Sequence, residues 1–130
     1  MGTNYTNTKI IFKEESYKII GACMAVHKNL GYGFLESVYS EALELEFIKQ
    51  NIPYEKEKKL PVFYDGQPLK KFFKADFVCY NSIILELKSA HFLTEADRKQ
   101  ALNYLKATKF KLAILINFGT PSLTYNKRLT

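Results

Sequence analysis

The spacing of apolar residues changes three times along this chain, and each change marks a new kind of element. Ile19, Cys23, Val26 and Leu30 recur at intervals of four, three and four. That stripe predicts an amphipathic helix from about Glu14 to Leu30, ended by Gly31-Tyr32-Gly33. A second helix follows, with Leu35, Val38, Ala42 and Leu45 on one stripe and Tyr39, Leu43 and Phe47 beside it. It stops before Asn51-Ile52-Pro53, because a residue preceding proline disfavours helical backbone. The two helices should form a hairpin.

From Tyr54 the period shortens to two. Lys58, Leu60, Val62 and Tyr64 lead to the turn signal Asp65-Gly66, then to a strand from Lys70 to Tyr80 and another from Ile83 to Lys88. Thr94-Glu95-Ala96-Asp97 opens a third helix, with Thr94 placed to cap it and the acids suited to its N-terminus, and this helix runs to about Ala107. Leu112 to Ile116 is continuously apolar, as in a strand covered on both faces. Phe118-Gly119-Thr120-Pro121 reads as a turn and Leu123 to Leu129 as a last edge strand. Strand, helix and strand make one crossover, so Ile83–Lys88 and Lys111–Asn117 should be parallel. The expected class is α/β (α+β): a mixed central β-sheet flanked by helices.

The register of the middle hairpin follows from alternation. Ala75, Phe77 and Cys79 share one face by this rule, and Lys74, Asp76 and Val78 the other; on the return strand Ile83, Leu85 and Leu87 oppose Ile84, Glu86 and Lys88. A two-residue turn at Asn81-Ser82 would pair Asp76 with Leu87 and mix apolar with polar faces. A three-residue loop of Tyr80, Asn81 and Ser82, with Asn81 suited to left-handed backbone, pairs Cys79 with Ile83 and Asp76 with Glu86. Two carboxylates and the Lys88 ammonium then face one another across the hairpin, a constellation suited to binding a divalent metal and addressing a phosphodiester. The cluster also closes a buried-type strand where the chain leaves the sheet for a helix, the position at which ligands collect in open α/β sheets. Without chemistry, the same residues would make a solvent face with an ion pair from Lys88 to Asp76 or Glu86.

Size and charge narrow the classes. At 130 residues and 47% hydrophobic content the chain suits one core, so residues 13–130 are read as a single domain behind a flexible polar leader at residues 1–12. No apolar run approaches the roughly 20 residues that span a bilayer, and the start lacks the basic and apolar regions of a signal peptide, so a cytoplasmic location is expected. Cys23 and Cys79 have no CxxC spacing and are read as reduced core residues. His27 and His91 have no metal-ligand spacing. The net charge of +6 and pI near 9.2 fit a polyanionic partner, and equally an ordinary solvated surface.

A further acid lies in Gly33-Phe34-Leu35-Glu36-Ser37-Val38-Tyr39. This segment resembles the G-x-x-E-x-x-Y signature of the GxxExxY proteins, a family of the PD-(D/E)XK nuclease superfamily. The resemblance continues through Lys74-Ala75-Asp76, Glu86-Leu87-Lys88, Gln100 to Thr108 and Ile116-Asn117-Phe118-Gly119, spanning about Ile19 to Arg128. It implies a restriction-endonuclease-like fold, with Glu36, Asp76, Glu86 and Lys88 at the active-site positions. Gln100 and Tyr104 match the Q-x-x-x-Y of the superfamily's recombination-exonuclease branch. Ala75 stands where the superfamily's name has proline, which offers no ligand in any case.

The implied activity is divalent-metal-dependent hydrolysis of nucleic acid, with DNA expected ahead of RNA. Mg²⁺ and Mn²⁺ take oxygen ligands. Asp76 and Glu86 are the expected metal ligands, with the Leu87 carbonyl as a third and Glu36 from its helix. Lys88 would orient the attacking water or stabilise developing charge, and Gln100 would fix the nucleophile or the strand. Tyr104, Lys74 and Lys99 would contact the nucleic acid. Tyr39 is expected in the core with its hydroxyl satisfied. No helix-turn-helix or zinc module is recognisable, so specificity is low or comes from a homodimer mate or partner protein. Two other classes stay open: a nucleic-acid-binding or regulatory module that does not cut, and an interaction protein that recruits a partner enzyme.

Overall fold

The computed structural model of the protein describes residues 12–129. Helices α1 (Lys13–Leu30) and α2 (Glu36–Lys49) precede strands β1 (Tyr54–Tyr64), β2 (Gln67–Cys79) and β3 (Ile83–Lys88). Helix α3 (Glu95–Ala107), β4 (Leu112–Asn117) and β5 (Thr124–Leu129) complete the chain. The strands lie in sequence order in one five-stranded sheet. All neighbours are antiparallel except β3 and β4, which the crossover through α3 makes parallel. This is the mixed sheet flanked by helices that the apolar spacing predicts. The leader expected at residues 1–12 lies outside the described residues except for Phe12.

Two apolar layers cover the sheet. Against α1 and α2 pack Phe77, Cys79, Ile83, Leu85, Leu87, Leu112, Ile114 and Ile116. Under α3 a smaller cluster joins Leu60, Phe73, Ala75, Val78, Ile84 and Ala113 to Ala101 and Leu105. Cys23 and Cys79 are buried free thiols, and burial raises the pKa of both, which keeps them protonated and inert. None of the described helices is long and apolar enough to cross a membrane.

The middle hairpin adopts the expected register. Cys79 pairs with Ile83, Val78 with Ile84 and Phe77 with Leu85, and the Ser82 N–H donates to the Cys79 carbonyl across the loop. Tyr80 and Asn81 both take left-handed backbone, at φ 55° and 54°.

One expectation about faces is corrected and one choice is resolved. Of the two stripes on α2, the buried one is Tyr39, Leu43 and Phe47, while Leu35 and Leu45 are exposed. The aromatic residues bury more area than the aliphatic stripe could, so they take the core-facing side. In β2, alternation would keep Ala75 on the face of Phe77 and Cys79. Instead Phe73 and Ala75 pack under α3, and Phe77 and Cys79 pack under α1 and α2. Strand β1 changes face at the same step, since Tyr54 packs on the first layer and Leu60 lies in the second. Between them Glu57 takes φ 53°, and the β1–β2 ladder runs from Lys56·Phe77 to Lys58·Ala75 without pairing Glu57 and Asp76. The change of face therefore falls on Asp76.

Candidate active site

The β2–β3 ladder ends at Phe77·Leu85, one step before Asp76 and Glu86. There the carboxylates take over the cross-strand bonding. The Asp76 N–H donates to Glu86 Oε2 at 2.9 Å, and the Leu87 N–H donates to Asp76 Oδ2 at 2.7 Å. Each acid is thus locked to the opposite strand through one oxygen. The other oxygen of each makes no hydrogen bond to another described residue.

Glu36 reaches the same place from the first turn of α2. Its Oε2 accepts the Ser89 N–H at 3.3 Å, just beyond the end of β3. Its position depends on the turn before it: Gly33 sits at φ 102°, where a side chain would be strained, and the Tyr39 hydroxyl donates to the Gly31 carbonyl and accepts the Phe34 N–H. The buried Tyr39 ring stacks on Phe118 at 4.4 Å. The turn, the helix start and the end of β4 are therefore one packed unit, and Tyr39 plays the core role expected of it.

A pocket of about 140 Å³ is lined by Glu36, Ser37, Ser40, Glu57, Asp76 and Leu87. Burial is the main reason both central acids have raised pKa values. Asp76 is shifted up by burial and by the charges of Glu36 and Glu57, against the opposing Leu87 N–H and Lys88. Glu86 is pushed up to about 8, by burial first and then by Asp76. Like charges crowded in a half-dry pocket resist ionising together. A cation placed there relieves that cost.

Lys88 departs from expectation. Its nearest acid is neither Asp76 nor Glu86 but Asp97, with Nζ 3.7 Å from Oδ1. Asp97 closes the capping box of α3: its N–H donates to Thr94 Oγ1 and its Oδ2 accepts the Thr94 N–H, both at 3.0 Å. That Thr94 N–H is the first cause of the lowered Asp97 pKa. The lysine is thus tethered to the mouth of α3. Spacing along the sequence does not reveal this partner, although Thr94-x-x-Asp97 is legible as a capping box.

The other expected residues are brought together unevenly. The Tyr104 ring lies on Phe73 with centroids 3.3 Å apart. Burial raises its hydroxyl pKa, and the charges of Glu86 and Asp76 add to the shift, so Tyr104 on α3 lies within range of the acids' charge. Gln100 and Lys99 are exposed on α3, and Gln100 makes no side-chain hydrogen bond to a described residue. Lys74 pairs with Glu57 at 3.9 Å. The Leu87 side chain is buried in the first layer, with its N–H on Asp76.

Two supporting residues have roles that spacing along the sequence does not reveal. The buried Asn117 side chain accepts the N–H groups of Ala90 and Gly119 and donates to the Ala90 carbonyl, each at 3.0 Å. A Cβ at Gly119 would overlap the Ala90 main chain. Together they clamp the segment leaving β3, on which Lys88 and Ser89 depend.

The sequence model of the PD-(D/E)XK nuclease superfamily matches residues 13–129. The chain belongs to this superfamily. Its five-stranded mixed sheet and flanking helices are consistent with the restriction-endonuclease-like fold. No curated protein and no solved structure matches the chain. Membership points to nuclease activity in general, and nucleases of this kind typically use divalent metals. Among the described residues no three His, Cys, Asp or Glu side chains already form a metal-ligand cluster. The donors present still fit a hard cation: two oxygen-donor carboxylates with raised pKa values, of which Asp76 lines a small acidic pocket with Glu36 and Glu57.

Proposed function

We propose that the protein is a divalent-metal-dependent nuclease that hydrolyses phosphodiester bonds in DNA, acting as a single domain of the GxxExxY group in the cytoplasm. The observation that carries this reading is the reciprocal locking of Asp76 and Glu86 at the open end of the hairpin. Holding two partly buried acids together is costly, and a structural role does not require it. An ion-binding role does.

Asp76 and Glu86 would hold Mg²⁺ or Mn²⁺ through their free oxygens, with the Leu87 carbonyl and Glu36 as further donors. When bound, the ion supplies a water of lowered pKa and offsets negative charge on the phosphate. Lys88, steered by Asp97, orients the attacking water or meets the developing oxyanion. Gln100 positions the nucleophile or the strand, while Tyr104, Lys74 and Lys99 bear on the nucleic acid. Specificity beyond the phosphate would come from a homodimer mate or a partner protein.

The test is cleavage of labelled single-stranded DNA, duplex DNA and RNA in Mg²⁺, Mn²⁺ or EDTA, with Glu86→Ala beside the wild type. Metal-dependent cutting lost in the variant is expected. Full activity in folded Glu86→Ala would end the mechanism. Salt-sensitive binding without cutting would favour a silent nucleic-acid-binding module on the same fold.

A further inference from the structure

Beyond Asp76 the β1–β2 pair continues without a third strand. The β3 ladder reaches only to Phe77, whereas β1 and β2 pair out to Tyr64·Gln67. The result is a two-stranded ribbon whose base rests under α3 through Leu60 and Phe73. Between residues 58 and 74 it carries Lys58, Lys59, Lys70, Lys71 and Lys74 against the single acid Asp65. That net +4, five lysines less one aspartate, is most of the chain's +6.

The charge is ordered as well as concentrated. Leu60 and Phe73 are cross-strand partners buried toward α3, so their neighbours point away from it: Lys59 opposite Lys74, and Pro61 opposite Phe72; Lys70 follows on β2 where the register of the ladder shifts. Lys59, Phe72 and Lys74 are exposed on that outer face, and Lys70 is exposed two residues on from Phe72. The Lys59 ammonium stands 4.9 Å over the Phe72 ring, which supports it without neutralising it. Lys74 lies next to Glu57, which lines the pocket that also holds Asp76 and Glu36. The stripe therefore leads into the acidic pocket.

We infer that this outer face of the ribbon docks duplex DNA and sets a backbone phosphate at the acidic pocket, an inference that deepens and rests on the nuclease reading. A two-stranded ribbon fits the major groove of B-form DNA, whereas the major groove of an RNA duplex is too deep and narrow to admit it. Lys70 and Lys74 are four residues apart on β2, a span of at most about 13 Å, or roughly four base pairs of rise. The lysines position the duplex and carry no sequence code, in keeping with the absence of a recognisable base-reading module.

The test is fluorescence anisotropy with a labelled 20-base-pair mixed-sequence DNA duplex in EDTA, where cleavage does not interfere, over a series of salt concentrations. The Lys59→Gln/Lys70→Gln pair is compared with Lys18→Gln/Lys28→Gln, which removes the same charge from exposed positions on α1. The ribbon pair should weaken binding roughly 10-fold or more and flatten the slope of log K against log salt by about 2, while the α1 pair changes affinity by less than about twofold. Equal effects of the two pairs, no effect of the ribbon pair, or no duplex binding by the wild type would overturn the inference. Equally tight binding of an RNA duplex would overturn it too. If the ribbon pair loses binding yet the wild type never cuts with Mg²⁺ or Mn²⁺, the nuclease reading fails and the docking surface stands. If the wild type cuts and the ribbon pair binds and cuts as well, only the docking surface fails.

Discussion

The two ends of the β2–β3 hairpin are built from the same pair of strands and serve opposite purposes. At the closed end, Val78·Ile84 and Cys79·Ile83 are fully buried, the first pair in the layer under α3 and the second in the layer under α1 and α2. At the open end the ladder has stopped, and Asp76 and Glu86 bridge the strands with carboxylates that burial makes reluctant to ionise. Apolar pairs stabilise because they need nothing further. The acid pair gives up part of that stability, a cost that a cation and a phosphate would offset on the proposed reading. The proposed site thus falls one residue beyond the last regular pair of the ladder.

Removing an acid should have the largest effect. Asp76→Ala or Glu86→Ala should lower metal-dependent cleavage on the order of 10³-fold in a gel assay, with the melting temperature in EDTA unchanged or higher. Truncation at the closed end should do the reverse. Ile84→Ala removes a fully buried side chain and should cost about 3 kcal/mol in urea unfolding, while cleavage per folded molecule stays near wild type.

Next in size is Glu86→Gln, which keeps an acceptor for the Asp76 N–H and removes the charge. Because the folded pKa of Glu86, about 8, lies above the ordinary value of 4.5, the unfolded chain binds fewer protons between those limits. The wild type therefore loses stability as pH rises from about 4.5 to about 8 in the absence of metal, and has the full benefit only below 4.5. Glu86→Gln should remove most of that dependence and be more stable on the order of 2 kcal/mol at pH 7, read by thermal melts in EDTA across pH. The smallest effect is expected at Thr94→Ala. It breaks the capping box, should cost about 1 kcal/mol, and frees Asp97 from its place beside Lys88, so cleavage should fall several-fold with little change in substrate binding.

Much of this arrangement is legible in the residues alone. The three-residue loop, the pairing of Cys79 with Ile83 and the parallel β3–β4 pair follow from alternation and from the crossover rule. What escapes a pattern is whatever depends on a choice between neighbours in space. Helix α2 carries two adjacent apolar stripes, and only the Tyr39–Phe118 stack and the Gly31 carbonyl decide which is buried. The change of face at Asp76 hangs on the left-handed backbone of Glu57, a residue type with no preference for it. The tie from Lys88 to Asp97 joins residues nine apart across a loop, and the clamp from Asn117 to Ala90 joins residues 27 apart. Neither has a spacing rule.

The most direct test of the claim that the open end is a metal site is calorimetric titration of Mn²⁺ into wild type and Glu86→Gln at pH 7, repeated in buffers of different ionisation enthalpy. A carboxyl with a pKa of about 8 is mostly protonated at that pH, so binding there must expel a proton. Mn²⁺ binding with proton release is expected in the wild type, and binding that is strongly weakened and releases fewer protons in Glu86→Gln. Identical affinity and proton release in the two proteins, or no binding to the wild type at millimolar Mn²⁺, would contradict it.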